Sequence, residues 1–443
     1  MTESMALTQR IARLRAAMQE FPPLLWSFLY FFFLLTGYYV LRPVRDAMGA
    51  NADVEAIFPK AMIGWFSAHG MTLGDFTLQA LFTGTFICMV LLQPVYGALV
   101  SRFPRRVFLP VVYGVFIVCL LGFYVAFNRE VPGRGAAFFI WVAVFNLFAV
   151  TVFWSFMSDI YSDLEARRLY GYIAAGGTVG GFLGPVITRL LVNRIGVANL
   201  LLVSAALLVA CVWCIVRLGF WARQREIERG QHGEEAMGGS ILAGLRLVRE
   251  TPLLRAMAVL MFFGVGVGTL LYNEQAAIAK IYYIDDAART AYYSGIDLWI
   301  NFVAITVQLF FTRLLLTRYG VAPLLLLPAL FILIGFSLLT LSPLPLLVAV
   351  VQICTRAGEF CLAKPARETI YTRVDRQVRY KAKAFIDTAI YRGGDLTFVW
   401  THKLLSAFGS SVVFGAGIVV AAGMTFGAWR LIREQARLPA ESR

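Results

Sequence analysis

Trp26-Ser-Phe-Leu-Tyr30-Phe-Phe-Phe-Leu-Leu-Thr36-Gly-Tyr-Tyr-Val40-Leu41 runs without a charged residue and then stops at Arg42-Pro43-Val44-Arg45-Asp46. An apolar run of this length, extended back to Pro22, is about what a helix needs to cross roughly 30 Å of hydrocarbon. It is too long for the apolar part of a signal peptide, and no small-x-small cleavage site follows it. The run is therefore a first membrane span. The pattern recurs along the chain, with spans predicted near 22–41, 76–100, 107–127, 135–158, 170–193, 197–222, 254–275, 292–317, 320–341, 344–363, 382–407 and 409–433. The expected fold is an all-α polytopic membrane protein of about twelve helices. A β-barrel would instead show stretches of about ten residues with alternating polarity, which are missing.

Composition agrees. The 443 residues are 59% hydrophobic and only 15% charged, too little charge to wet the surface of a soluble domain, which is roughly a quarter charged. The net charge of +14 would suggest nucleic acid in a soluble protein. Here most Lys and Arg gather in the loops on the side of the N-terminus, which is the positive-inside pattern. No nucleic-acid partner is expected; both termini are placed in the cytoplasm of a bacterial inner membrane, with lipid as the surrounding partner.

Residues 1–21 place Arg10, Arg13 and Arg15 among Leu7, Ile11 and Leu14, an amphipathic pattern suited to the inner leaflet. The longest polar interruption, 223–249, separates six spans in 22–222 from six in 250–433, and 434–443 form a tail. Ile160-Tyr-Ser-Asp-Leu-Glu165 resembles Ile370-Tyr-Thr-Arg-Val-Asp375, 210 residues later. Two parallel six-helix halves with a substrate site between them near the midplane are the major facilitator arrangement. Gly97-Ala-Leu-Val-Ser-Arg102-Phe-Pro-Arg105-Arg106-Val-Phe-Leu109 resembles that superfamily's loop motif, with Ser101 in place of an acid and Pro104 in place of a glycine.

Gly176, Gly177, Gly180 and Gly184 could be mistaken for a phosphate-binding loop, but no strand precedes them and no Gly-Lys-Ser/Thr follows. Glycines four apart on an apolar helix predict close helix packing instead. All six cysteines fall in spans, and Cys211-Val-Trp-Cys214 reads as buried free thiols. With three histidines no metal cluster is expected, and nothing implies a cofactor or an enzyme: there is no Walker loop and no soluble catalytic domain.

An ionisable side chain inside a span is costly unless it faces water or a partner, so those residues make the candidate list. Arg42 and Arg45, with Asp46, close the first span, where Pro43 predicts a bend. Glu274 ends the seventh. The eighth carries Asp297 and Asn301, with Gln308 on the same face. Arg356 with Glu359, and Arg392 with Asp395, are three apart and predict self-neutralising pairs within the tenth and eleventh spans. Lys364-Pro-Ala-Arg367-Glu368 opens a run read mostly as a solvated face, from which Lys383 and Asp387 are excepted. Arginine forks and lysine point charges suit a phosphorylated or other organic anion, and Tyr38, Tyr39, Trp154 and Tyr272 could stack on a planar ring.

Leu41-Arg42-Pro-Val-Arg45-Asp46, Val152-Phe-Trp154-Ser-Phe156 and Lys381-Ala-Lys383-Ala-Phe-Ile-Asp387 resemble the ATP/ADP translocase (nucleotide transporter) family of obligate intracellular bacteria and plastids, over about residues 20–430. The last matches that family's K-G-K-A-x-I-D pattern. The resemblance implies nucleotide exchange by alternating access, with Arg45, Lys381 and Lys383 at positions of transport lysines, and favours a monomer. The family's fourth-span acid has no counterpart in Trp141–Asn146, and its seventh-span glutamate falls near Tyr272, with Glu274 two residues on. Two other readings remain open. One is a major facilitator moving a different solute with protons through Glu274, Asp297 or Asp387; the other is a non-transporting receptor or assembly factor.

Overall fold

A chain with so few charges must satisfy its backbone amides within its own segments, and in lipid a helix does so completely. The computed structural model describes residues 2–50, 58, 60–69, 72–102, 105–161, 163–229, 241–371, 374, 382–383 and 385–437. Among them no strand occurs. The helices are α1 (Thr2–Ala50), α2 (Lys60–Ala68), α3 (Thr77–Arg102), α4 (Arg105–Asn128), α5 (Arg134–Ile160), α6 (Asp163–Arg229), α7 (Ile241–Glu250), α8 (Pro252–Tyr282), α9 (Asp286–Val307), α10 (Arg313–Tyr319), α11 (Val321–Leu341), α12 (Pro345–Gly358), α13 (Lys364–Tyr371), α14 (Tyr391–Ser406) and α15 (Ser410–Ala436).

Nine described helical stretches are long and apolar enough to cross a membrane. One of them, Tyr172–Trp221 in α6, is 50 residues long and turns at Gly196, whose φ of 79° and ψ of 167° are open to glycine. It therefore holds two passes. With the shorter apolar part of α3, Thr77–Leu92, and with α14, the spans follow the twelve read from the sequence.

Three differences have physical causes. The predicted bend at Pro43 does not end the first helix, because α1 continues through it to Ala50. A proline removes one backbone bond, and side chains of α6 serve carbonyls nearby: Thr188 Oγ1 donates to Val40 O at 3.3 Å and Ser204 Oγ to Gly37 O at 3.1 Å. The tenth span is longer than expected, Pro345–Tyr371, so Lys364, Arg367 and Glu368 continue the helix rather than forming a loop. Wide π turns interrupt three helices, at Gln308–Thr312, Glu359–Ala363 and Ile386–Ile390. Each closes i→i+5 and shifts the face presented by everything that follows.

The chain forms two compact units. The first comprises Met1–Val44, Met89–Arg134 and Trp141–Ala236; the second comprises Arg45–Cys88, Gly135–Ile140 and Met237–Arg443. Lipid gives apolar helices no drive to leave it for one another, so close approach and hydrogen bonds must hold them. In the first unit, a Cβ on Gly176 or Gly180 would stand 2.5 Å from the Phe28 or Phe32 carbonyl oxygen, and one on Gly184 would stand 2.5 Å from Tyr39 Cβ. The glycine run is thus the seam of α6 on α1. Tyr30 donates to the Tyr113 hydroxyl at 2.8 Å, and Phe31 stacks on Phe153 at 4.3 Å. Cys211 and Cys214 are buried free thiols. In the second unit α8, α11, α12 and α15 share a core that includes Leu254, Leu260, Phe336, Val348 and Phe414.

Candidate functional site

The candidate residues read from the sequence divide between the units. In the first, Arg42 is 5% exposed and its guanidinium lies 5.5 Å from the Tyr39 ring centroid. Trp154 is half-buried and packs edge-on to Phe31, Phe153 and Tyr170.

The second unit holds the rest. Arg45 Nε and Nη2 both donate to Asp46 Oδ1, at 2.8 and 2.5 Å, and the Tyr272 hydroxyl donates to the same oxygen at 3.1 Å. Asp46 is 3% exposed, so this carboxylate is held by a cation and a phenol in a dry setting. Arg45 also lies over the Phe139 ring at 5.2 Å, and Tyr272 packs with Leu81 and Phe139. Helices α1, α3, α5 and α8 therefore meet at one polar knot with an aromatic jacket. Asp46 and Tyr272, separate candidates in the sequence, are one feature.

Glu274 is 4% exposed, and its Oε1 stands 2.9 Å from His402 Nε2. His402, on α14, is itself buried. Sequence reasoning misses this histidine when it weighs the residue only as a metal ligand; as an ionisable group inside a span it satisfies the rule that selects the others. Two helical turns earlier on α14, Asp395 Oδ1 accepts from Thr269 Oγ1 of α8 at 2.9 Å, and its Oδ2 accepts from Arg392 Nη1 at 3.3 Å. The Arg392 pair thus forms as predicted, and the Glu274 and Asp395 carboxylates both clip α8 to α14.

The predicted Arg356–Glu359 pair does not form. Glu359 instead accepts from Arg367: Nη2 donates to Oε1 at 2.5 Å and Nη1 to Oε2 at 3.1 Å. The cause is the π turn that begins at Glu359. One wide turn followed by one ordinary turn of about 3.6 residues brings residue i+8 back beneath residue i. Arg367 is accordingly not on a solvated face: its side chain is 12% exposed. Lys383 also departs from expectation. Its ammonium lies between the two oxygens of Glu368, at 2.6 and 2.7 Å, while Asp387 is exposed. That pair is open to water, where an ion pair is worth about 0–1 kcal/mol, so it is readily exchanged for another partner. Lys381 lies outside the described residues.

On α9, Asp297 is buried, Asn301 Nδ2 donates to the Asp297 carbonyl at 2.8 Å, and Gln308 is exposed at the start of a π turn. Asn301 therefore serves the helix's own backbone.

The model of the Major Facilitator Superfamily matches residues 61–394. The "ADP,ATP carrier protein 1" of Chlamydia muridarum is 22% identical over 434 residues, covering 85% of this chain and 80% of that protein. Among solved structures, a POT family transporter in complex with 5-aminolevulinic acid superposes with a TM-score of 0.61 at 12% identity, covering 94% of this chain and 96% of that one. The nucleoside transporter NupG superposes with a TM-score of 0.55 at 14% identity, covering 92% and 98%. At these identities the solved structures show the shared fold.

Proposed function

The chain belongs to the Major Facilitator Superfamily, and from that premise we propose that it is a secondary transporter that exchanges organic phosphates, nucleotides of the ATP/ADP kind foremost, by alternating access. The observation that carries this reading is the likeness to the ADP,ATP carrier protein along 85% of the chain. Cations inside the spans support it: Arg42, Arg45, Arg356, Lys383 and Arg392 are of the types that bind phosphate. The carboxylate pairs of Arg45, Lys383 and Arg392 let a cation pass between a substrate anion and a side chain of the protein. In this reading the chain, with its two six-helix halves 22–222 and 250–433, works as a monomer in a bacterial inner membrane, with both termini in the cytoplasm. The solute crosses unchanged, without an enzymatic step.

Binding tests the reading directly. A ligand at 100 times its Kd stabilises the folded state by about 2.7 kcal/mol, so ADP and ATP are expected to raise the thermal midpoint of the purified protein. If no nucleotide or organic phosphate does so, the reading fails.

One observation favours a second reading. The Glu274–His402 contact, 2.9 Å long and buried inside the spans, joins an acid to an imidazole, the residue types that proton relays in transporters use. Uptake driven by a pH gradient without counter-substrate would select it. A non-transporting receptor would tolerate loss of Arg45 and Lys383.

A further inference from the structure

The tenth span contains an arginine whose expected counter-ion is held by another residue. Arg356 stands in the last turn of α12. Among the described residues it has no ion pair or hydrogen bond. Glu359, three residues on, is given to Arg367 by the π turn. Asp395 is occupied by Arg392 and Thr269.

Two polar groups on the same helix are also left over. Gln352 Oε1 and Thr355 Oγ1 are buried without a hydrogen-bond partner, and both side chains are more than nine-tenths buried. Gln352 precedes Arg356 by four residues and shares its face. A charge inside a membrane span is retained against its cost where it meets a partner or a ligand. The geometry here withholds the protein partner.

We propose that Arg356 receives the anionic head of the substrate in the second unit, a phosphoryl group, while Gln352 and Thr355 bond to hydroxyl or amino groups beside it. A guanidinium offers a planar fork to phosphate oxygens. The π turn at Glu359–Ala363 is then the device that keeps the fork open, because it commits the neighbouring carboxylate elsewhere. This assignment rests on the reading of the chain as an exchanger of organic phosphates.

The test is exchange in proteoliposomes with ADP, glycerol 3-phosphate and inorganic phosphate, on variants that elute as folded monodisperse protein. Losing a charge-assisted bond weakens binding by about 10- to 100-fold, so Arg356→Gln should raise KM by that factor and Arg356→Lys by less. Arg367→Gln, which leaves Arg356 in place, should also raise KM, because it frees Glu359 to neutralise Arg356. The double variant Glu359→Gln/Arg367→Gln should recover most of the loss. An equal rise for all three anions supports a phosphoryl ligand, whereas a rise confined to ADP overturns it. Unchanged KM in Arg356→Gln, or no recovery in the double variant, overturns the assignment while leaving the exchanger reading intact. If the unaltered protein exchanges none of the three anions, the exchanger reading itself falls.

Discussion

Asp46 shows how much a single buried carboxylate can organise. It accepts from Arg45 and Tyr272, so neutralising it leaves a mostly buried arginine without its counter-ion. Breaking such a pair from one side costs about 3–5 kcal/mol, and Asp46→Asn is expected to lower the thermal midpoint accordingly. Tyr272→Phe removes one hydrogen bond while Arg45 still serves Asp46, at a cost of about 1 kcal/mol. Unfolding monitored in detergent checks both, and equal losses would contradict the hierarchy. At the Glu274–His402 contact, Glu274→Ala leaves a buried imidazole unpartnered and is expected to cost about 1–3 kcal/mol, whereas Glu274→Gln keeps a partner for Nε2 and should cost less. At this scale the sequence was only partly legible. That Arg45, Asp46, Glu274 and Asp395 would need polar partners followed from the cost of charge in lipid. The long-range partners of Asp46 and Glu274 did not, because Tyr272 is 226 residues from Asp46 and His402 is 128 from Glu274, and chain spacing carries no information about such pairs.

Among the elements, the glycine seam and the π turns teach opposite lessons. Glycines spaced for helix packing were readable in α6, and the structure puts them against backbone atoms of α1. Gly180→Ala is expected to force the helices apart and to cost about 1–3 kcal/mol, as overpacking does. At Gly114 of α4 an added Cβ would meet nothing within 4 Å, so Gly114→Ala should be neutral or stabilising by up to about 1 kcal/mol. Thermal midpoints of the two variants test this, and similar effects at both sites would argue against the seam. The π turns were illegible, since they insert no distinctive residue. Both surprises in the tenth span follow from one of them. Spacing of three predicted Arg356 with Glu359; the wide turn replaced that pair with Glu359 and Arg367 and took Arg367 off the solvated face to which composition had assigned its run.

For the whole molecule, hydropathy and charge distribution were sufficient to reach a multi-pass helical membrane protein, because lipid penalises every alternative. The order of spans and the break at Gly196 agree with that reading, and the superfamily match over residues 61–394 places the chain among transporters. Substrate chemistry depends instead on the few cations within the spans and on what holds them. Arg45, Lys383 and Arg392 each rest on a carboxylate, so an incoming anion has to compete with a side chain of the protein for each of them. The most direct measurement is counter-exchange: proteoliposomes loaded with ATP and presented with labelled external ADP. The account predicts uptake that requires internal nucleotide and does not depend on a pH gradient. Uptake that proceeds from empty vesicles under a pH gradient, with no response to internal nucleotide, would contradict it.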